Sequence, residues 1–261
     1  DDVALMCMKT QDAEPALDAL RAAAGAALPV FCCQNGVANE RMALRRFEHV
    51  YAVVVMLPAA HLEPGRVVAQ SKAAPGILDL GCYPEGIDEV CRRVAKDLEA
   101  ARFIAQADPR VMRFKYTKLL LNLGNALQAT CQAGDAGREI IGRAREEALH
   151  CFEAANIDCA SHQEFTERRA DLIQPAPVNG SMRGGGSSWQ SLARRTGSIE
   201  ADYLNGEIAL LGRLHGVPTP VNAVLQQVAN EVARAGDPPE SFSIAELLER
   251  ISDAEMRAAG A

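Results

Sequence analysis

Ala107-Asp108-Pro109-Arg-Val-Met-Arg-Phe-Lys115-Tyr-Thr-Lys118-Leu-Leu-Leu-Asn122-Leu-Gly-Asn125 is the stretch at which this chain changes character. Asp108 is suited to cap a helix and Pro109 to open one, because the N–H that proline lacks is unpaired in a first turn anyway. Before this point apolar, β-branched runs alternate with helical patterns. Val3–Met8, Leu28–Cys33 and Val50–Leu57 read as strands, the last rich in valine. Helices are expected from Asp12 to about Ala24, from Asn35-Gly36 to about Arg46, and from Ile87 to about Ala105. The Gly/Pro-punctuated segment between His61 and Leu80 carries short β runs, Arg66–Gln70 and Gly76–Leu80, that fit extra strands on the sheet, in an antiparallel sense. Strands alternating with helices imply a parallel, doubly wound sheet. After Asp108 only helical patterns remain, at about 110–132, 135–156, 161–173, 198–215, 219–235 and 244–257. The third and fourth are separated by an irregular Gly/Ser/Pro loop, Gln174–Ser188. The expected organisation is an α/β domain over 1–107 followed by an all-α domain over 108–261.

Within the opening stretch, Lys118, Asn122 and Asn125 are spaced i, i+4, i+7 and share one face of a helix. A buried polar group without a partner costs about 1–3 kcal/mol, and a charge more. Something polar must face this stripe, and a substrate is one candidate. A helix–helix amide network is the other. Gly124 inside the stripe costs roughly 1 kcal/mol of helix propensity, which makes sense where something approaches the helix closely.

The 261 residues carry a net charge of −7, with 48% hydrophobic and 23% charged residues, ordinary for a globular protein. The lack of a basic tract argues against nucleic acid, and no apolar run is long enough to span a membrane. None of the eight cysteines forms a C-x-x-C pair, and Cys32-Cys33 lie inside an apolar strand. Reduced core cysteines in a cytoplasmic protein are the expectation, with neither zinc site nor disulfide framework. His61, His150, His162 and His215 are scattered, and no metal site is read. Glu146-Glu147 and Arg168-Arg169 read as solvated helix faces, and Lys115 as a solvated lysine. Trp189 reads as a packing anchor for the neighbouring loop, and Gly212, Gly216 and Pro220 as structural. Residues 1–8 already form a core-type strand and no G-x-G-x-x-G follows any strand. The expectation is a chain truncated at its N-terminus by a βαβ unit of about 30 residues.

Six short motifs occur in a consistent order. They are Val3–Asp12 with Lys9, Cys33-Gln-Asn35-Gly36-Val, Lys118-x-x-x-Asn122, Ser187-Ser-Trp-Gln-Ser191, Ser198–Gly206 with Glu200, and Gly212–Asn222. Together they resemble the ketopantoate reductase (2-dehydropantoate 2-reductase) family over essentially the whole chain. The resemblance implies an incomplete Rossmann-type nucleotide-binding domain followed by a helical domain like the C-terminal domain of 6-phosphogluconate dehydrogenase. An active site between the two is also implied. The implied chemistry is NADPH-dependent reduction of 2-dehydropantoate to pantoate, on the route to pantothenate and coenzyme A. NADP as cofactor, a small 2-oxo acid as substrate and a homodimer belong to the same implication.

Such a reduction needs a hydride donor, a proton donor for the carbonyl oxygen, and groups to hold the carboxylate and hydroxyl. By resemblance Lys118 is the proton donor, and Glu200 steadies its ammonium or contacts the cofactor. Asn122 and Asn125 hold substrate oxygen, and Ser187 or Ser188 binds the carboxylate, with Ser187 favoured. Lys9 and Asn35, just beyond strand ends where open parallel sheets bind ligands, contact nicotinamide ribose or substrate. Each also has a plain structural reading: a snorkelling lysine, interhelical amides, a carboxylate favoured by a helix N-terminus, a turn, a solvated cation. The sequence departs from the family pattern at Ser191, where many members carry Asp, and by one residue deleted between Asn122 and the second amide. Ser191 and the irregular Gly184–Gly186 loop leave a reductase of a different 2-oxo acid in play, and the expected N-terminal truncation leaves an inactive fragment acting as a binding or assembly module.

Overall fold

The computed structural model describes residues 2–169, 172–174, 176–178 and 184–260. Part of the Gly/Ser/Pro loop and the expected end of the helix at 161–173 fall outside these residues. The chain forms two compact units. One comprises Asp1–Ala60, Val67–Leu119 and Cys159–Arg183, and the other His61–Arg66, Leu120–Asp158 and Gly184–Ala261. Asp108 lies inside the first unit. The change there is one of secondary structure: every named element beyond it is helical.

The first unit is built on a four-stranded sheet with the order β1 (Ala4–Met6), β2 (Val30–Cys32), β3 (Val50–Met56), β6 (Ile77–Cys82). β1, β2 and β3 are parallel, in the register Met6↔Cys32↔Ala52, and β6 runs antiparallel to β3. β4 (Ala59–Glu63) and β5 (Arg66–Ala69) form a separate two-stranded sheet. Alternate side chains go to opposite faces of a strand, and both faces here are apolar. Phe31, Tyr51, Val53 and Leu80 pack with Cys91, Val94 and Ala95 of α3 (Glu89–Ala100). Val30, Cys32, Val50 and Met6 pack with Leu17 of α1 (Ala13–Ala24) and Ala43 of α2 (Asn39–Leu44). This two-sided burial is why β3 reads as a continuous apolar run rather than an alternation. Phe31 and Tyr51 stack at 4.3 Å between ring centroids. The Tyr51 hydroxyl donates to Asp88 at 2.7 Å, and the other Asp88 oxygen caps α3 through the Cys91 N–H at 2.8 Å.

The Ala107-Asp108-Pro109 break is tied along β6. The Leu80 N–H donates to the Gln106 carbonyl at 3.0 Å and the Asp108 N–H to the Leu80 carbonyl at 2.8 Å. Gly81 is obligatory there, because a Cβ would run into the Asp108 carbonyl. Asp79, 5% exposed, takes a two-pronged contact from Arg168 of α7 (His162–Arg169), at 2.7 and 2.5 Å. Arg168 is therefore not part of a solvated face. Burial raises the Asp79 carboxyl, with Arg168 opposing.

The second unit contains α5 (Gly124–Thr130), α6 (Ala136–Ala154), α8 (Ser187–Ala193), α9 (Asn205–His215), α10 (Pro220–Ala235) and α11 (Ile244–Ala259). The expected single helix over 110–132 is broken at Leu123, with α4 (Val111–Asn122) before it. The Leu120 carbonyl accepts from Arg145 at 3.2 Å and the Leu123 carbonyl from the Asn205 amide at 3.1 Å. Gly124 abuts α6, since a Cβ would stand 3.0 Å from the Ile141 methyl. A neighbouring helix makes the close approach that the glycine requires. Glu147 is likewise not solvated: its carboxylate caps α10, accepting from the Val221 and Asn222 N–H groups at 2.8 and 3.0 Å. It satisfies donors that a helix start leaves free. Two further differences lie nearby. Ser187 opens a short helix rather than ending a loop, and the helix expected from 198 begins as a 3-10 turn, Glu200–Tyr203.

Candidate active site

In the first unit the site residues gather at the carboxyl ends of the parallel strands. Asn35 follows β2 by three positions, and Gly36 turns the chain with φ 77°. The Lys118 ammonium, from α4, donates to the Asn35 side-chain oxygen at 2.7 Å and to the Val55 carbonyl. The structure therefore joins two of the residues singled out in sequence, 83 positions apart. Lys9 follows β1 in extended backbone and precedes the short 3-10 turn Thr10–Asp12. The Gln34 side-chain oxygen is buried with no hydrogen-bond partner among the described residues.

Lys115 is where sequence reading failed. Expected to be solvated, it is 3% exposed and paired with Glu40, which is fully buried. Its ammonium also donates to the Cys32 and Gln34 carbonyls at 3.4 and 3.2 Å. Lys115 thus ties α4 to the carboxyl end of β2, while Lys118, one turn on, engages Asn35. The only available signal was the i, i+3 spacing of two lysines on an otherwise apolar helix.

In the second unit, Asn122 ends α4, one helical turn beyond Lys118. Its amide nitrogen is buried and finds no hydrogen-bond partner among the described residues. Asn125 lies past the break at Leu123, so Lys118 and Asn122 share one helix, α4, and Asn125 belongs to the next, α5. Asn125 instead borders the start of α8: a Cβ on Gly186 would stand 3.6 Å from its side-chain oxygen. Gln128, missed in sequence, holds that start by accepting the Gly186 N–H at 3.1 Å. Ser187 and Ser188 form the first turn of α8, Ser188 being 3% exposed and Ser187 more open. Trp189 packs on Gly184 and Gly185, as expected of an anchor. Ser191 is fully buried, its hydroxyl bonded to the Ser187 carbonyl at 3.1 Å. Glu200, 4% exposed, heads its 3-10 turn. Among the described residues no group of three His, Cys, Asp or Glu is placed to hold a metal, and no helix is long and apolar enough to cross a membrane.

The family described as Ketopantoate reductase PanE/ApbA matches residues 2–85, and its C-terminal counterpart matches residues 110–233. The chain belongs to the ketopantoate reductase family. A 2-dehydropantoate 2-reductase of Aquifex aeolicus is 21% identical over 243 residues, 87% of this chain and 75% of the relative. A PanE/ApbA family ketopantoate reductase from Ralstonia eutropha superposes with a TM-score of 0.71 at 24% identity, covering 90% of this chain and 76% of the other. A D-mandelate dehydrogenase solved with NADH and anilino(oxo)acetate gives 0.75 at 19% identity, covering 90% and 77%. At these identities the two structures share the fold with this ketopantoate reductase family member. Its C-terminal family match opens at Arg110, immediately before α4 and the lysine–asparagine pair.

Proposed function

We propose that the chain reduces a 2-oxo acid to a 2-hydroxy acid with a nicotinamide nucleotide, and that NADPH and 2-dehydropantoate are its natural pair, giving pantoate for pantothenate and coenzyme A synthesis. One observation carries the reading. A lysine ammonium held by Asn35 and Val55 stands one helical turn from the Asn122 amide, whose buried donor has no partner among the described residues. An unpaired buried donor of this kind costs about 1–3 kcal/mol and is tolerable where a ligand satisfies it.

The residues present fit the nicotinamide end of the nucleotide. The Gln34 oxygen is buried and unpartnered at the carboxyl end of β2, where open parallel sheets take their ligands. Lys9, Asn35 and Glu200 would hold the nucleotide, which supplies the hydride when bound. Lys118 protonates the carbonyl oxygen as it becomes a hydroxyl, then recovers its proton from solvent. Asn35 and Val55 aim the ammonium. Asn122 donates to the same substrate oxygen, and Asn125 with Ser187 or Ser188 receives the carboxylate end. The residues up to 107 form the nucleotide-binding domain in this reading, and those from 108 the substrate-binding one.

A second reading keeps the chemistry and changes the acid. Ser191 buries a neutral hydroxyl inside α8 where many family members carry Asp, and a D-mandelate dehydrogenase shares the fold. Steady-state oxidation of NADPH and NADH should be compared for 2-dehydropantoate and for the 2-oxo acid of mandelate. The proposal expects the highest kcat/KM with NADPH and 2-dehydropantoate. It also expects Lys118→Ala to lower kcat by roughly 10²–10⁴. Full kcat in that variant would end the mechanism, and no turnover of any 2-oxo acid by correctly folded chain would end the reductase reading.

A further inference from the structure

Two cysteines outside the proposed chemistry meet at the same sheet edge. β1 and β2 run parallel with Met6 opposite Cys32, and the Cys33 N–H donates to the Met6 carbonyl at 3.0 Å. Cys7 and Cys33 immediately follow the two strands, so one further step of this register sets them side by side. Cys33 packs with Phe31 and Tyr51 on the α3 side of the sheet, opposite the face of Met6 and Cys32. Neighbouring strands are about 4.7–4.9 Å apart, inside the Cα separation of about 4.4–6.8 Å that a disulfide spans. Cys7 is exposed and Cys33 half-buried, so one thiol is open to solvent and the other waits behind it.

We propose that Cys7 and Cys33 form a hydroperoxide-reactive thiol pair, in which Cys7 is oxidised first and Cys33 closes a disulfide between the ends of β1 and β2.

The electrostatics of the pair agree with these roles. The neighbouring Cys33 thiol, whose own S–H also reaches the Phe31 carbonyl at 3.8 Å, holds Cys7 down to about 7, against the effect of burial. Cys33 is itself pushed well up by the facing Cys7, burial adding to the shift. The Cys7 thiolate attacks the terminal peroxide oxygen. The O–O bond breaks, the alcohol or water leaves, and Cys7 becomes a sulfenic acid. The Cys33 sulfur then attacks that sulfur, the S–O bond breaks, and water departs with the Cys33 proton. Overall two thiols lose two electrons and two protons, and one hydroperoxide becomes an alcohol and a water. The bridge would lie two residues before Lys9 on one strand and two before Asn35 on the other.

The test reads thiols rather than turnover, so it stands or falls independently of the reductase reading. The full chain is treated with hydrogen peroxide, its remaining thiols are alkylated, and peptides are mapped by mass spectrometry. The expected result is loss of two of the eight alkylatable cysteines, recovered as a Cys7–Cys33 peptide that dithiothreitol reverses. Cys33→Ser should stop at a Cys7 sulfenic acid that dimedone traps, and Cys7→Ser should leave Cys33 reduced. Without peroxide, Cys7 should alkylate near neutral pH on the order of ten-fold faster than an unperturbed exposed thiol, reflecting its thiolate fraction. Should either serine variant misfold by circular dichroism, the wild-type map and alkylation rate decide alone. Cys7 remaining alkylatable after peroxide, or a bridge joining any other pair, would overturn the proposal.

Discussion

Lys115 and Glu40 form an ion pair in which both side chains are almost wholly removed from solvent, 3% and 0% exposed. The lysine adds hydrogen bonds to two carbonyls at the end of β2. Removing one member of such a pair leaves a buried charge uncompensated, at a cost of about 3–5 kcal/mol. Lys115→Met and Glu40→Gln should each lower the free energy of urea unfolding by that amount. Replacing both with apolar residues should cost far less than the sum of the two. Single variants within 1 kcal/mol of wild type, to order of magnitude, would show the pair to be open to water.

Asn122 makes the opposite prediction. Among the described residues its buried amide nitrogen has no partner to lose. Asn122→Leu should leave the melting temperature of the ligand-free chain unchanged or raise it, by up to about 1–3 kcal/mol in stability. The same variant should raise KM for the 2-oxo acid. A clear fall in stability would mean the amide is used by the fold.

Glu164 sets an acid limit on α7. It accepts the Ser161 N–H at 2.7 Å while the Ser161 hydroxyl accepts the Glu164 N–H at 3.1 Å, a reciprocal capping box, and Arg113 adds a contact at 3.0 Å. The Ser161 N–H, then Arg113, lower its carboxyl from 4.5 to about 2. A depressed folded value means that the contribution is present above pH 4.5 and is lost as pH falls towards about 2. Hydrogen exchange along α7 should accelerate in that window for the wild type, and Glu164→Gln should flatten the response. Asp79 and Glu147, raised by burial, contribute with the reverse sign: they favour the fold at the acid side and lose that advantage as pH rises through their folded values.

Gly212 tests a backbone approach. A Cβ there would stand 2.5 Å from the Val217 carbonyl and 2.7 Å from the Thr219 methyl. Backbone has little room to give, so Gly212→Ala should destabilise by about 1–3 kcal/mol despite alanine's better helix propensity. A stabilised variant, measured by denaturant titration, would show that the α9–α10 connection relaxes.

Much of the fold was legible because its causes are local. Apolar runs marked β1, β2 and the valine-rich β3, and the proline at 109 marked the start of the helical part. Asp88 was not singled out as a cap, and β4 and the short helix α8 were not foreseen. Their formation depends on partners elsewhere rather than on periodicity. Lys118, Asn35 and Asn122 were legible because a cation and amides in an apolar setting demand explanation wherever they occur.

By itself the sequence determined the alternation that makes a parallel sheet, the change to helices at Asp108, the family, and the helical turn separating Lys118 from Asn122. These are properties of neighbours along the chain. Only tertiary structure decided that Lys115 is buried, because its partner Glu40 lies 75 residues away. It alone showed that Glu147 caps a helix 74 residues on, that Gly124 makes room for Ile141, and that the ends of β1 and β2 bring Cys7 next to Cys33. Whether a charged or small residue is solvated, paired or packed depends on what the fold brings opposite it, and residue spacing carries no record of that.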